Sequence, residues 1–293
     1  MRLSVVQMNP GSDKIANIAQ ASHLIDRAIA ADHPSMVSLP EMWTCLGGDR
    51  ATKWEASETL PVQGSNEPGG PAYEFLRETA RRQGIYVHGG SLGEQADGQQ
   101  SDNLLFNTTV VFDPQGVEVA RYRKLHLFDI VTPEGQGYRE SASYGSGEQI
   151  ATFDADGIRV GCAICYDLRF PELFLALRRA GADLILLPSA FTVATGRDHW
   201  DVLIRARAIE TQCWIAASAT WGQHRDGAGQ ARLTYGHSLV CDPWGQVIAT
   251  VSDGTGWTTA RIDTALLERI RRDMPVLEHR RLDIFGSGRL TTK

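Results

Sequence analysis

The chain has 293 residues, of which 42% are hydrophobic and 22% charged, and its formal net charge is −6. These are the proportions of an ordinary globular protein, and they exclude a disordered, collagen-like or coiled-coil chain. The acidic balance argues against a general nucleic-acid binder, which must neutralise phosphates; no wholly apolar run exceeds five residues, far short of the ~20 that a membrane-spanning helix needs.

Residues 2–8 read as a buried strand, with no apolar leader core before them and no small-residue cleavage site. Asp13 then caps a helix whose Ile15, Ile18, Leu24, Ile25, Ala28 and Ile29 fall on one broad face. A short strand over 35–40 ends at Pro40. Pro71 opens a second helix carrying Tyr73, Leu76 and Ala80, and Gly84 closes it. Residues 85–91 form a strand. Strands over 104–112 and 117–122 flank Asp113-Pro114-Gln115-Gly116, which is hairpin-turn chemistry. The second half repeats the scheme: a strand over 158–165, a helix over 171–180 ended by Gly181, an aliphatic strand over 184–187, and a helix capped by Asp198 that runs through Gln212. Strands over 213–219, 238–241, 247–251 and 257–262 follow, and Asp242-Pro243-Trp244-Gly245 joins the middle pair. Strands this apolar are buried on both faces. The pattern therefore predicts two packed sheets with helices outside, a layered α/β sandwich.

Common catalytic signatures are missing: there is no Gly-Lys-Ser/Thr loop, G-x-G-x-x-G, H-E-x-x-H or G-x-S-x-G. The eight histidines show no zinc-ligand spacing, so no metal site is expected. The cysteines at 45, 162, 165, 213 and 241 show no disulfide-framework spacing, which points to a reduced, cytoplasmic protein.

Three places put a reactive side chain at the carboxyl end of a predicted strand, where α/β sheets form their ligand crevices. In Ser38-Leu39-Pro40-Glu41-Met42-Trp43, a carboxylate follows a buried strand. An apolar setting would raise its pKa toward that of a usable general base; otherwise it is a loop glutamate paired to an arginine. In Tyr122-Arg123-Lys124-Leu125-His126-Leu127-Phe128, one of only four lysines, against 25 arginines, stands before an apolar stretch. It reads as a compact point charge or as a snorkelling surface lysine. In Ile164-Cys165-Tyr166-Asp167, a cysteine sits where a strand turns into a helix. A helix N-terminus and a lysine nearby would favour its thiolate; the alternatives are an inert buried cysteine or a Cys-x-x-Cys redox pair with Cys162. The pair is disfavoured, because residues three apart on a strand face opposite ways.

With Glu41, Lys124 and Cys165 side by side, the sequence resembles the carbon–nitrogen hydrolase (nitrilase) superfamily. The resemblance spans nearly the whole chain. It includes Leu39-Pro40-Glu41, the block from Tyr122 to Phe128, and Ile164-Cys165-Tyr166-Asp167-Leu168-Arg169-Phe170-Pro171-Glu172-Leu173. Further matches are Pro188-Ser189-Ala190-Phe191, His199-Trp200, the block from Arg205 to Glu210, Tyr235-Gly236-His237-Ser238 and His279-Arg280-Arg281. It implies an α-β-β-α sandwich that dimerises, with Glu as base, Lys as oxyanion stabiliser and Cys as nucleophile. A second family glutamate matches Glu140, sixteen residues after Lys124, with Glu134 ranked below it. Cys165-Tyr166-Asp167 resembles the Nit branch of deaminated-glutathione amidases and ω-amidases, where nitrilases proper carry Cys-Trp-Glu. Residues 205–213 and the tail look closest to the deaminated-glutathione amidases. Leu127-Phe128-Asp129 is also at home in ω-amidases, and residues 135–137 and 223–232, expected to border the pocket, fit neither.

The implied reaction is hydrolysis of a small carboxylated amide through a thioester on Cys165, releasing ammonia. The oxyanion would be held by Lys124 and the Tyr166 N–H. Glu140 would position the base or the lysine, and Tyr166, Phe191 and Thr195 would line the pocket. Arg197 and Arg169 are candidates to bind the substrate carboxylate. Cysteine, glutamate and lysine cover every proton and charge, so no cofactor is called for. N-carbamoyl hydrolysis and a non-catalytic relative of the fold are the rival readings. One domain is expected over 1–286, with 287–293 a flexible tail. The Arg-rich, partly apolar stretch 277–285 suggests a segment that covers a partner subunit, hence at least a homodimer. No nucleic-acid or membrane partner is expected.

Overall fold

In a computed structural model of the chain, which describes residues 1–96, 104–131, 135, 137–225, 227 and 229–281, the apolar strands gather into two main sheets. The first has eight strands, and its path runs Gly256–Arg261, Arg2–Gln7, Met36–Ser38, Tyr86–His88, Leu105–Phe112 and Leu92–Gln95; Glu118–Arg123 and Tyr144–Gly145 also pair with Leu105–Phe112. The second has six, in the order Thr152–Ala155, Ile158–Cys162, Leu184–Leu186, Trp214–Ala217, Leu239–Cys241 and Val247–Thr250. Each sheet is built around three neighbouring parallel strands: Arg2–Gln7, Met36–Ser38 and Tyr86–His88 in the first, Ile158–Cys162, Leu184–Leu186 and Trp214–Ala217 in the second.

Burial explains the layering. Leu3, Val5, Met36 and Val111 of the first sheet share one apolar cluster with Val160, Cys162, Ile185, Ile215 and Val240 of the second. Helices Lys14–Asp32 and Pro71–Gln83 cover the first sheet's other side, where Leu24, Ile25, Tyr73 and Leu76 meet Val6, Val37, Val87 and Phe112. Helices Pro171–Arg179 and Val193–Thr211 supply Phe174, Leu177, Trp200 and Ile204 to the second sheet. The result is an α-β-β-α sandwich. Each large aliphatic side chain sealed in these layers contributes roughly 1.5–3 kcal/mol. Among the described residues, no helix is long and apolar enough to cross a membrane.

Several boundaries differ from the sequence expectation. Asp13 does cap the first helix, accepting from the Ile15 and Ala16 N–H groups, but Ile15 lies in the first turn and is 67% exposed. The inner face is carried by Asn17, Ala21, Leu24, Ile25 and Ala28. The helix expected to start at Asp198 starts at Val193, capped by Thr192. Its opening turn carries Val193 and Thr195, β-branched residues of low helix propensity, which hides the start. The strand expected over 158–165 stops at Cys162, and a 3-10 turn occupies Cys165–Arg169. Helices Arg50–Ala56 and Thr264–Asp273, strand Thr152–Ala155 and hairpin Trp221–Arg225/Ala231–Tyr235 are additional elements. The tail expected to be flexible, 287–293, and residues 282–285 of the stretch assigned to a partner, lie outside the described residues.

Candidate active site

Glu41 and Cys165 each follow the carboxyl end of a central parallel strand, Met36–Ser38 in one sheet and Ile158–Cys162 in the other. Because the sheets face each other, the two ends converge. Lys124 follows strand Glu118–Arg123 directly, and its N–H donates to Asn107 O at 2.9 Å. The backbone is held in an uncommon conformation on both sides. Met42, next to Glu41, has φ 49°, and Cys165 has φ 46°. For a residue with a Cβ this costs about 1–3 kcal/mol. The neighbours that hold it are the Ser91 hydroxyl, which accepts from Met42 N–H at 3.0 Å, and Pro188 O, which accepts from Cys165 N–H at 2.9 Å. Gly90 (φ 58°) packs so closely behind this turn that a Cβ there would collide with Pro40 O.

A buried ionic network forms the floor. Lys124 Nζ donates to Glu41 Oε1 at 3.0 Å and to Glu140 Oε2 at 2.9 Å and Oε1 at 3.1 Å. Asn107 Nδ2 bridges the same two carboxylates, at 2.9 Å to Glu41 and 3.3 Å to Glu140. Backbone amides complete the set: Ala190 N–H reaches Glu41 Oε2 at 2.8 Å, and Phe128 N–H reaches Glu140 Oε2 at 2.7 Å. Every carboxylate oxygen here therefore has a fixed donor, the condition under which buried charge is tolerated.

The network sets the protonation states. Burial works against the Lys124 charge, but Glu140 and Glu41 outweigh it and hold the lysine pKa well above its ordinary value. Burial first, and the Glu41 charge next, push the Cys165 thiol well above the usual range; Lys124 pulls the other way without prevailing. This corrects the expectation of a thiolate favoured by the lysine and a helix end. Cys165 rests as a thiol, and a base must take its proton. Cys162 is fully buried, its thiol pushed up to about 12 by burial, and both cysteines are free.

Above the network lies a cleft of about 200 Å³, lined by Glu41, Lys124, Glu140 and Cys165 together with Tyr166, Phe191 and Thr195, which the sequence placed there. Arg169 also lines it, its Cζ 5.5 Å from the Phe191 ring centroid. Arg197 does not. The earlier helix start puts it in the second turn, exposed and outside the lining of the cleft, which does not fit the substrate-binding role expected of Arg197. Lys53, Tyr138, Arg139 and Arg232 are lining residues that the sequence did not single out. Arg232 comes from the 223–232 stretch and Tyr138 directly follows 135–137, the two stretches expected to border the pocket. Glu134 lies outside the described residues.

The Cys165–Arg169 turn starts its own hydrogen bonding with Asp167 N–H to Ile164 O at 3.0 Å, which leaves the Tyr166 N–H outside that pattern. Such unused donors at the start of a turn suit a developing negative charge. Asp167, fully buried, accepts from Tyr122 Oη at 2.7 Å, Ile164 N–H at 2.8 Å, His126 N–H at 3.1 Å and the His126 ring at 2.7 Å. It thereby ties the segment bearing Lys124 to the turn bearing Cys165. Among the described residues, no group of three or more His, Cys, Asp or Glu side chains could hold a metal ion.

Comparison with known proteins agrees with this geometry. The carbon-nitrogen hydrolase family model matches residues 2–272. The chain is 39% identical over 287 residues to the Homo sapiens protein named deaminated glutathione amidase, covering 97% of this chain and 84% of that one. The crystal structure of the C. elegans NitFhit protein superposes with a TM-score of 0.83 at 36% identity; the match covers 97% of this chain but 65% of NitFhit. Saccharomyces cerevisiae Nit3, described as a member of branch 10 of the nitrilase superfamily, gives a TM-score of 0.83 at 29% identity, over 96% of each chain. By its family match and its full-length relatives, the chain belongs to the carbon–nitrogen hydrolase family.

Proposed function

We propose that this chain hydrolyses the amide bond of a small carboxylated amide, with Cys165 as nucleophile. Glu41 takes the Cys165 thiol proton as sulfur bonds to the amide carbon. Lys124 and the Tyr166 N–H hold the oxyanion. Glu41 then gives its proton to the leaving nitrogen and the C–N bond breaks; ammonia departs from a primary amide, or the free amine from a substituted one, leaving a thioester on Cys165. Water, deprotonated by Glu41, attacks the thioester; the C–S bond breaks and the thiol is restored. Glu140 and Asn107 position Lys124 and Glu41. The observation that carries this reading is the 3.0 Å Glu41–Lys124 contact beside a thiol that burial keeps protonated.

Relatives named deaminated glutathione amidase, at 39% identity, favour that type of substrate over the amides of an ω-amidase. A cleft with more cations than carboxylates suits the carboxylate groups such a substrate carries. The test is hydrolysis of a panel, scored by cysteinylglycine release from deaminated glutathione and by ammonia release from ω-amides and carbamoyl amines. Release from the first at the highest kcat/KM supports the assignment. Carbon dioxide appearing with the ammonia from a carbamoyl amine, as the preferred reaction, would replace it.

We infer self-association as well. Exposed Trp244 and Met274 line one surface groove, and Ile209, 51% exposed, packs beside Gly245. Exposed apolar side chains set among Asp242, Gln246, Arg269 and Asp273 support a partner surface here. The five free, buried cysteines suit a reducing compartment such as the cytoplasm.

A further inference from the structure

The cleft is lined by five cations and two carboxylates, and both carboxylates are held by Lys124. Of the remaining four cations, Arg232 is placed differently from the rest. Its Nη2 donates to Ala190 O at 3.0 Å, and the Ala190 N–H donates to Glu41 Oε2 at 2.8 Å. One residue therefore separates this guanidinium from the carboxylate assigned as base. Its Cζ lies 5.2 Å from the centroid of the Tyr138 ring, another lining residue. Among the described residues no carboxylate pairs with it, Nη1 makes no hydrogen bond, and Nε is buried without a partner. Arg169, by contrast, is engaged with the His199 ring at 3.2 Å, and Arg139 is exposed.

A half-buried guanidinium without an anion is an unmet electrostatic demand, and its planar fork matches a carboxylate in two-point geometry. We propose that Arg232 is the specificity-determining residue of the cleft: it binds the carboxylate of the substrate's acyl portion, and so selects amides of short-chain dicarboxylic acids over neutral amides. This rests on the amidase reading of the same site. Tyr138 steadies the guanidinium from its face, and the Ala190 carbonyl fixes its height above Glu41. A substrate anchored there would present its amide carbon to Cys165 without further ordering of the side chain.

The test compares kcat/KM for succinamate, an anionic amide, with butyramide, a neutral one. Arg232→Gln should lower the anionic-to-neutral selectivity ratio roughly 10- to 100-fold, the range expected when a hydrogen bond to a charged group is lost. The change should fall mainly on the KM for succinamate, and Arg232→Lys should recover part of it. An equal loss on both substrates would mean that Arg232 acts on Ala190 and Glu41 alone, and would overturn the proposal. A second arm needs no turnover. Glutarate should bind Cys165→Ala measurably by calorimetry and at least tenfold more weakly when Arg232→Gln is added. No glutarate binding at millimolar concentration, or binding that ignores Arg232, would overturn the proposal even if no amide is hydrolysed; failure of the hydrolytic reading alone would leave this arm intact.

Discussion

Lys124→Met removes the cation between Glu41 and Glu140 and leaves an unbranched apolar side chain in its place. In the wild-type chain the ammonium lies 3.0 Å from one carboxylate and 2.9 Å from the other, with 2% of the lysine side chain exposed. Without it, two buried carboxylates face each other across Asn107, and like charges so placed cannot both stay ionised. One of them takes a proton. A protonated Glu41 is no base, and losing one oxyanion donor costs about 10²–10³ in rate, so kcat/KM for amide hydrolysis should fall at least a hundredfold.

The same variant carries a stability signature. Breaking a buried ion pair costs about 3–5 kcal/mol. The carboxyl that takes the proton has a folded pKa raised above its unfolded value of about 4.3. The stability tied to that proton is fully present below the unfolded pKa and is lost as pH rises through the folded pKa. In the wild type, the Lys124 pKa is itself raised, so its contribution is present at every pH below the ordinary lysine value and is flat between pH 5 and 8. The deficit in thermal midpoint of Lys124→Met should therefore be smaller at pH 5 than at pH 8, read by circular dichroism. Equal deficits at the two pH values, together with less than a tenfold loss in kcat/KM, would refute the network as the catalytic floor.

Three further outcomes follow from the same geometry. Because burial raises the Cys165 pKa, alkylation by iodoacetamide should speed up with pH through pH 9; a plateau reached by pH 7 would reveal a preformed thiolate. Asp167→Asn places an amide nitrogen among four donors, so unfolding free energy should drop by about 1–3 kcal/mol and turnover with it, while an unchanged denaturation midpoint would show that the Lys124 and Cys165 segments are not tied there. Truncation after Met274 removes the 277–285 stretch expected to cover a partner, so it should weaken self-association in sedimentation and lower activity; a monomer of about 32 kDa with full specific activity before truncation would rule out self-association.

Glu41, Lys124 and Cys165 were legible because each sits where a recognisable strand gives way to a turn, and strand ends are read from local sequence. The layered sandwich was legible for the same reason, since doubly buried strands are apolar throughout. The residues that complete the site were not. Asn107 lies in a strand of Thr and apolar residues and meets Glu41 across 66 positions; Arg232 meets Ala190 across 42. No spacing rule reaches that far. Arg197 failed through a boundary: Thr192-Val193-Ala194-Thr195 reads as extended chain, and starting the helix at Asp198 placed Arg197 before it instead of in its second turn. The Cys165 protonation state failed because the neighbours in sequence argue for a thiolate, whereas burial, which sequence does not show, decides against it.

The proposed chemistry requires Cys165 to carry the acyl group between the two half-reactions. Wild-type protein quenched in acid during turnover of a slow amide should yield a peptide containing Cys165 whose mass is increased by the acyl portion. Cys165→Ala, folded by circular dichroism, should show neither the adduct nor amide hydrolysis. An adduct on Cys162 or Cys45, or hydrolysis that persists in Cys165→Ala, would contradict this chemistry.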